Sequence, residues 1–76
     1  MRIAALIAKK ENGKWDALMV TEGDIEPIKS MRQKIIDING VLVKGKGKNA
    51  EEVKISELRV LSNHTSGGEL LSPRKF

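Results

Sequence analysis

The chain has 76 residues, a formal net charge of +4, 39% hydrophobic residues, no cysteine and one histidine. That length makes one small domain, residues 1–76, which buries only about 60% of its unfolded surface. Disulfides, thiolate ligands and a histidine-rich metal site within one chain are excluded, so self-association is the stabilising device left open to so small a domain.

The N-terminal segment, MRIAALIAKK, has the basic residue and apolar run of a secretory leader. The run, residues 3–8, is short and charges follow at once, so a buried strand is expected instead. No stretch approaches the roughly 18 apolar residues of a membrane helix, and no membrane partner is expected. The lack of cysteine is compatible with a reducing compartment, and a cytoplasmic location is expected.

Residues 2–9 and 14–21 flank ENGK, and Asn12-Gly13 is a strong signal for a two-residue hairpin loop, whose type I′ turn needs positive φ at both central positions. That loop sets Glu11 opposite Lys14, Lys9 opposite Asp16, Lys10 opposite Trp15, Ile7 opposite Leu18 and Ala5 opposite Val20. Two opposite-charge pairs favour this register, and Lys10 would then be placed for a cation–π contact with Trp15. One face of the hairpin carries Ile3, Ala5, Ile7, Leu18 and Val20, and is expected to be the core face. The other carries Ala4, Leu6, Ala8, Trp15, Ala17 and Met19. This second face is also apolar, whereas a hairpin with one wet face alternates more cleanly. A covering element, the C-terminal tail or another subunit, is therefore expected over Leu6, Trp15 and Met19.

TEGDIEP leads into a helix, with Asp24 as the expected N-cap and Glu26 and Pro27 in the first turn. Ile28, Met31, Ile35 and Ile38 form one apolar stripe, and Asn39-Gly40 supplies the stop. A helix of about 12 residues is marginal alone in water, so the stripe must pack on the sheet. Val41-Leu42-Val43 is β-branched and predicts a third strand. Beyond the turn KGKGKNA, Val53 and Ile55 alternate with polar residues, and Leu58 and Val60 resume the alternation on shifted phase. A bulge near Ser56-Glu57 reconciles the two phases. A helix from Asn49 competes, because Asn49 and Glu52 have capping-box spacing; the β-branched residues favour strand. SNHTSGG is a loop by composition, and ELLSPRKF allows a fifth strand at an edge, where Pro73 is tolerated. Leu70, Leu71 and Phe76 are apolar enough to dock on the hairpin's second face. The expected fold is an α+β domain: a small antiparallel sheet of four or five strands, order β-β-α-β-β, with one helix on one face.

The charge is concentrated in one place. Residues 1–43 carry seven basic and six acidic groups, residues 49–76 carry four of each, and Lys44–Lys48 supplies the remaining +3. The stretch VKGKGKNAEE is not a nucleotide cradle. No serine or threonine follows Gly47-Lys48, as a P-loop requires, and the third glycine of a dinucleotide fingerprint is missing. Two readings remain. Lysine at a hairpin tip discourages unwanted strand pairing. Alternatively, Lys44, Lys46 and Lys48, extended by Lys54, Arg74 and Lys75, form a weak, non-specific nucleic-acid contact through counterion release. Trp15 and Phe76 are the only aromatics, too few for a base-stacking platform.

Candidate chemistry elsewhere is thin. His64 lies in a polar loop with no acid or nucleophile placed beside it, and Ser62, Thr65 and Ser66 lack an activating context. Glu22, Asp24 and Glu26 lack calcium-loop spacing and serve the helix start. With no triad, metal set or cofactor motif, enzymatic activity and a bound cofactor are not expected. The function expected is a small protein-interaction or assembly module, pairing with itself or another protein through the hairpin's second face and Trp15. The alternative is an accessory nucleic-acid binder using the lysine loop.

Overall fold

The computed structural model describes residues 2–63 and 72–76. Its elements are β1 (Ile3–Lys10), β2 (Trp15–Glu22), α1 (Glu26–Asp37), β3 (Val41–Lys44), β4 (Glu51–Ser62) and β5 (Arg74–Lys75), with a 3₁₀ turn at Gly47–Asn49. All strand pairs are antiparallel, in the order β2-β1-β4-β3. β5 pairs with β4 at Glu57 and Leu58. This is the expected α+β fold. No described helix is long and apolar enough to cross a membrane.

Residues 51–62 are strand throughout, so the β-branched residues win over the capping-box spacing at Asn49. The phase shift is absorbed where expected. Lys9 pairs with Glu57 and Lys10 with Ile55, which leaves Ser56 as the extra residue. Its hydroxyl donates to the Lys9 carbonyl at 3.1 Å, so the bulge leaves that polar group partnered.

The first hairpin departs from expectation, and the consequence spreads across the sheet. Its loop has three residues. Lys10 N–H donates to the Lys14 carbonyl and Gly13 N–H to the Lys10 carbonyl, both at 2.9 Å. Only Gly13 takes positive φ (87°), the arrangement of a turn followed by a glycine bulge. Asn12 instead accepts from Lys14 N–H through its side chain at 2.9 Å. Near the turn the register is therefore one residue off the expected one: Lys9 faces Trp15, Ala8 faces Asp16 and Ile7 faces Ala17. A second irregularity between Leu6 and Ile7 leaves Leu18 as the extra residue and restores Leu6–Met19 and Ala5–Val20. A one-residue slip exchanges faces, so Trp15 and Ala17 move away from Leu6 and join Ile7.

Helix α1 covers the face that carries Ala4, Leu6 and Ala8, not the face with the larger side chains. The buried core is Ala4, Leu6, Ala8, Ile28, Ile35, Ile55 and Leu58, with Met19, Leu18, Ile25, Met31, Leu42 and Val60 packed around it. The expected core assignment is thus reversed for Ile3, Ala5, Ile7 and Val20. Alanines on either side of Leu6 let the helix approach closely, and interior packing density rewards that approach. Ile38 leaves the expected stripe because it falls at the helix C-cap, and it is exposed. At the other end the cap is Ile25, one residue beyond Asp24. The Asp24 carboxylate still serves the helix start, accepting from Glu26 N–H at 3.0 Å.

Asn39 and Gly40 both take positive φ, 54° and 73°. A Cβ on Gly40 would lie 3.1 Å from the Ile55 carbonyl and from the Phe76 ring. Phe76 therefore docks beside the start of β3, and its N–H donates to the Ser56 carbonyl at 3.0 Å. It does not cover the first hairpin as expected. Leu70 and Leu71, assigned the same role, lie outside the described residues, as do His64, Thr65 and Ser66.

Candidate functional site

The side of the sheet opposite α1 is the most distinctive surface of the molecule. Strand register arranges it in rows. Glu22, Ile3 and the Asn63 backbone form the first; Val20, Ala5 and Leu61 the second; Ala17, Ile7 and Arg59 the third; Trp15, Lys9, Glu57 and Lys75 the fourth. The first row is tied at its β4 end, where Ile3 N–H donates to the Asn63 Oδ1 at 2.6 Å.

The centre of this surface is apolar and wet. Val20 is 63% exposed, Leu61 55%, and Ile3 and Trp15 40% each, while Ala5 and Ile7 are half-buried between them. β1, β2 (eight residues each) and the part of β4 alongside β1, about 4.8 Å apart and at about 3.3 Å per residue, make a face of roughly 14 by 26 Å. That area matches the largest apolar patch of a typical monomer, which is often functional.

The polar end of the face is ordered by its own contacts. The Arg59 guanidinium carbon stands 5.4 Å from the Trp15 ring centre and Lys9 Nζ stands 6.0 Å from it, both within cation–π reach. Arg59 Nε also donates to Glu57 Oε2 at 2.8 Å. Glu57 is the buried charged residue of the described chain, and this pairing offsets its desolvation. The expected partner of Trp15 was Lys10. The one-residue slip assigns that place to Lys9 and sends Lys10 to the helix side, where its Nζ meets Asp16 Oδ2 at 2.6 Å. That hydrogen bond, with further attraction from Lys44 and Lys14, holds the Asp16 carboxyl below the ordinary aspartate value.

The three residues expected to form one interface are separated. Leu6 is fully buried under the helix and Met19 is half-buried beside it, while Trp15 stands on the opposite face. The helix, rather than a tail or second subunit, covers Leu6. Among the described residues nothing plays that role for Val20 and Leu61. Sequence reasoning placed Ile3 and Val20 on the core face and did not single out Leu61 and Arg59 as site residues. The available signal was parity: Arg59 and Leu61 alternate with Leu58 and Val60, and the Ser56 bulge puts Leu58 and Val60 on the same face as Ile55.

The six basic residues of the alternative reading are also dispersed. Lys44 shares one concavity on the helix side with Lys10, Asp16, Leu18 and Leu42. Lys54 pairs with Val41 on the opposite side, and Lys44 faces Glu51 across the hairpin. Lys46 and Lys48 occupy the exposed loop between β3 and β4. Arg74 and Lys75 pair at Leu58 and Glu57, about six residues along β4 from the loop, a separation of roughly 20 Å at strand rise. Among the described residues, no acidic and histidine side chains cluster in a way that could hold a metal ion.

The fold and this surface define a small α+β domain with a helix on one side of its sheet and an apolar, charge-rimmed face on the other. Comparison with protein-family models, with curated proteins and with solved structures finds no match for the chain.

Proposed function

We propose that this protein is a homotypic assembly module that packs the helix-free face of its sheet against the same face of a second copy. The observation that carries this reading is the exposed row Val20, Ala5, Leu61, continuous with Ile3, Ile7 and Trp15 and bounded by Glu22 at one end and Lys9 and Arg59 at the other. Three considerations support it. The chain is short and has no disulfide to reinforce it. Face-to-face packing of two sheets is a standard way to bury an apolar face, at about 10 Å separation. The rim carries both signs of charge, so the surface can complement a copy of itself, as an isologous two-fold contact requires.

At roughly 360 Å² (about 14 by 26 Å), the face is less than half of the about 800 Å² per partner of a standard specific interface, in the range of weak, transient contacts. A micromolar, concentration-dependent equilibrium is therefore expected rather than a permanent dimer. Sedimentation velocity over a hundredfold concentration range tests this. The wild type is expected to shift from monomer to dimer, and the double variant Val20→Ser/Leu61→Ser to stay monomeric while melting, in dilute solution where both are monomers, close to the wild type. A wild type that sediments as a monomer at the highest concentration overturns the reading.

A further inference from the structure

The helix-free face is polar along its strands, and that polarity selects one of two ways in which two copies can meet. We infer that the copies stack with their strands reversed, Glu22 of each over the Trp15–Lys9 corner of the other; this rests on the face-to-face association proposed above. Two in-plane two-fold axes are possible for stacked sheets. An axis along the strands sets each row over its own copy. An axis across the strands sets the first row over the fourth and the second over the third.

Charge separates the two. The fourth row with its neighbour Arg59 contains Lys9, Lys75, Arg59 and Glu57, a net excess of positive charge, while the first row contributes Glu22. Stacking along the strands places Lys9 over Lys9 of the second copy and leaves Glu22 over the Asn63 side of β4. Stacking across the strands brings Glu22 over Trp15 of the second copy, beside the two cations that already lie on that ring, Lys9 at 6.0 Å and Arg59 at 5.4 Å. Like charges set face to face in a desolvated contact are strongly unfavourable.

Side-chain size gives the same answer independently. Across the strands, Val20 falls over Ala17, and Ile7 over Ala5, so each large side chain meets a small one. Leu61 falls over the aliphatic stem of Arg59, which can cover apolar surface while its charged end stays at Glu57. Along the strands, Ile7 meets Ile7, Ala5 meets Ala5, and Val20 meets Leu61, which leaves one crowded spot and one gap. Facing layers interdigitate when large and small residues alternate.

The test is charge reversal in two separate chains. Glu22→Lys alone and Lys9→Glu alone each create two like-charge contacts per dimer and are expected to associate about tenfold or more weakly than wild type. An equimolar mixture makes both contacts opposite in sign, so association is expected to return as a mixed dimer. Folding of each variant is checked by its melting curve. Should Lys9→Glu fail to fold, single-cysteine variants Ile3→Cys and Lys9→Cys, made in a chain with no other cysteine, replace it. A short bismaleimide is then expected to join the two different variants in preference to two copies of either. Preferential joining of like variants, or no recovery on mixing, overturns the reversed stacking. In that event a wild type that still dimerises through Val20 and Leu61 leaves the assembly reading standing, whereas a monomeric wild type removes both.

Discussion

Arg59 binds two partners at once: its guanidinium carbon is 5.4 Å from the Trp15 ring centre, and its Nε donates to Glu57 at 2.8 Å. The residue spans β1, passing over Ile7 to reach β2, and so links the two strands that flank the central one. Replacing Arg59 by Met keeps the stem and removes both interactions. It also leaves the buried Glu57 carboxylate without that donor. The expected cost is about 1–3 kcal/mol, read from urea unfolding followed by the emission of Trp15, the only tryptophan. Glu57→Gln should cost less, since the amide oxygen still accepts from Arg59. An Arg59→Met variant as stable as wild type would show that the pair is incidental.

Leu6 and Leu61 lie on adjacent strands but on opposite faces, and their truncation should separate folding from association. Leu6 is fully enclosed by the helix and its alanine neighbours. Leu6→Ala is expected to cost about 2–5 kcal/mol. Leu61→Ala removes a half-exposed side chain, and the monomer is expected to lose no more than about 0.5 kcal/mol. Denaturant midpoints measured on dilute protein check both. Equal losses for the two leucines would place the core elsewhere.

Gly40 is constrained twice, by a φ of 73° and by Ile55 and Phe76 at 3.1 Å from where a Cβ would stand. Gly13 has positive φ with open space around it. Gly40→Ala is therefore expected to destabilise by more than about 1 kcal/mol, and Gly13→Ala by roughly that amount from backbone strain alone. Thermal melts of the two variants rank them, and the reverse ranking would mean that Phe76 does not hold its place against β3.

The lowered Asp16 pKa gives a signed pH dependence. Its carboxyl is held below the ordinary aspartate value chiefly by the hydrogen bond from Lys10. The stabilisation this provides is present above the unfolded-state pKa and is lost as pH falls through the lower folded-state value. Lys10→Met should raise the Asp16 pKa in an NMR titration. The stability gap between wild type and variant should be small, because the pair is solvent-exposed, visible near pH 6, and gone once Asp16 is protonated in both. An unchanged titration in the variant would point to another partner for Asp16.

Much of this architecture follows from local pattern. The helix is marked by Ile28, Met31 and Ile35 and by the Asn39-Gly40 stop, the third strand by Val41 to Val43, and the bulge by the phase change at Ser56. Each of these depends on neighbours within a few residues, where periodicity and turn chemistry are informative. Which apolar face of the sheet is left exposed was not available from such patterns. It depended on whether the Asn12-Gly13 loop holds two residues or three, a difference of one position that carries Trp15 from one side of the sheet to the other. It depended equally on where the helix lands. Both faces of the first hairpin are apolar, so their composition leaves the choice of core undecided. The helix takes the face of Ala4, Leu6 and Ala8 because small residues beside one large one allow close packing. The surface left facing water is set by that long-range contact between α1 and the sheet, which no short stretch of the chain encodes.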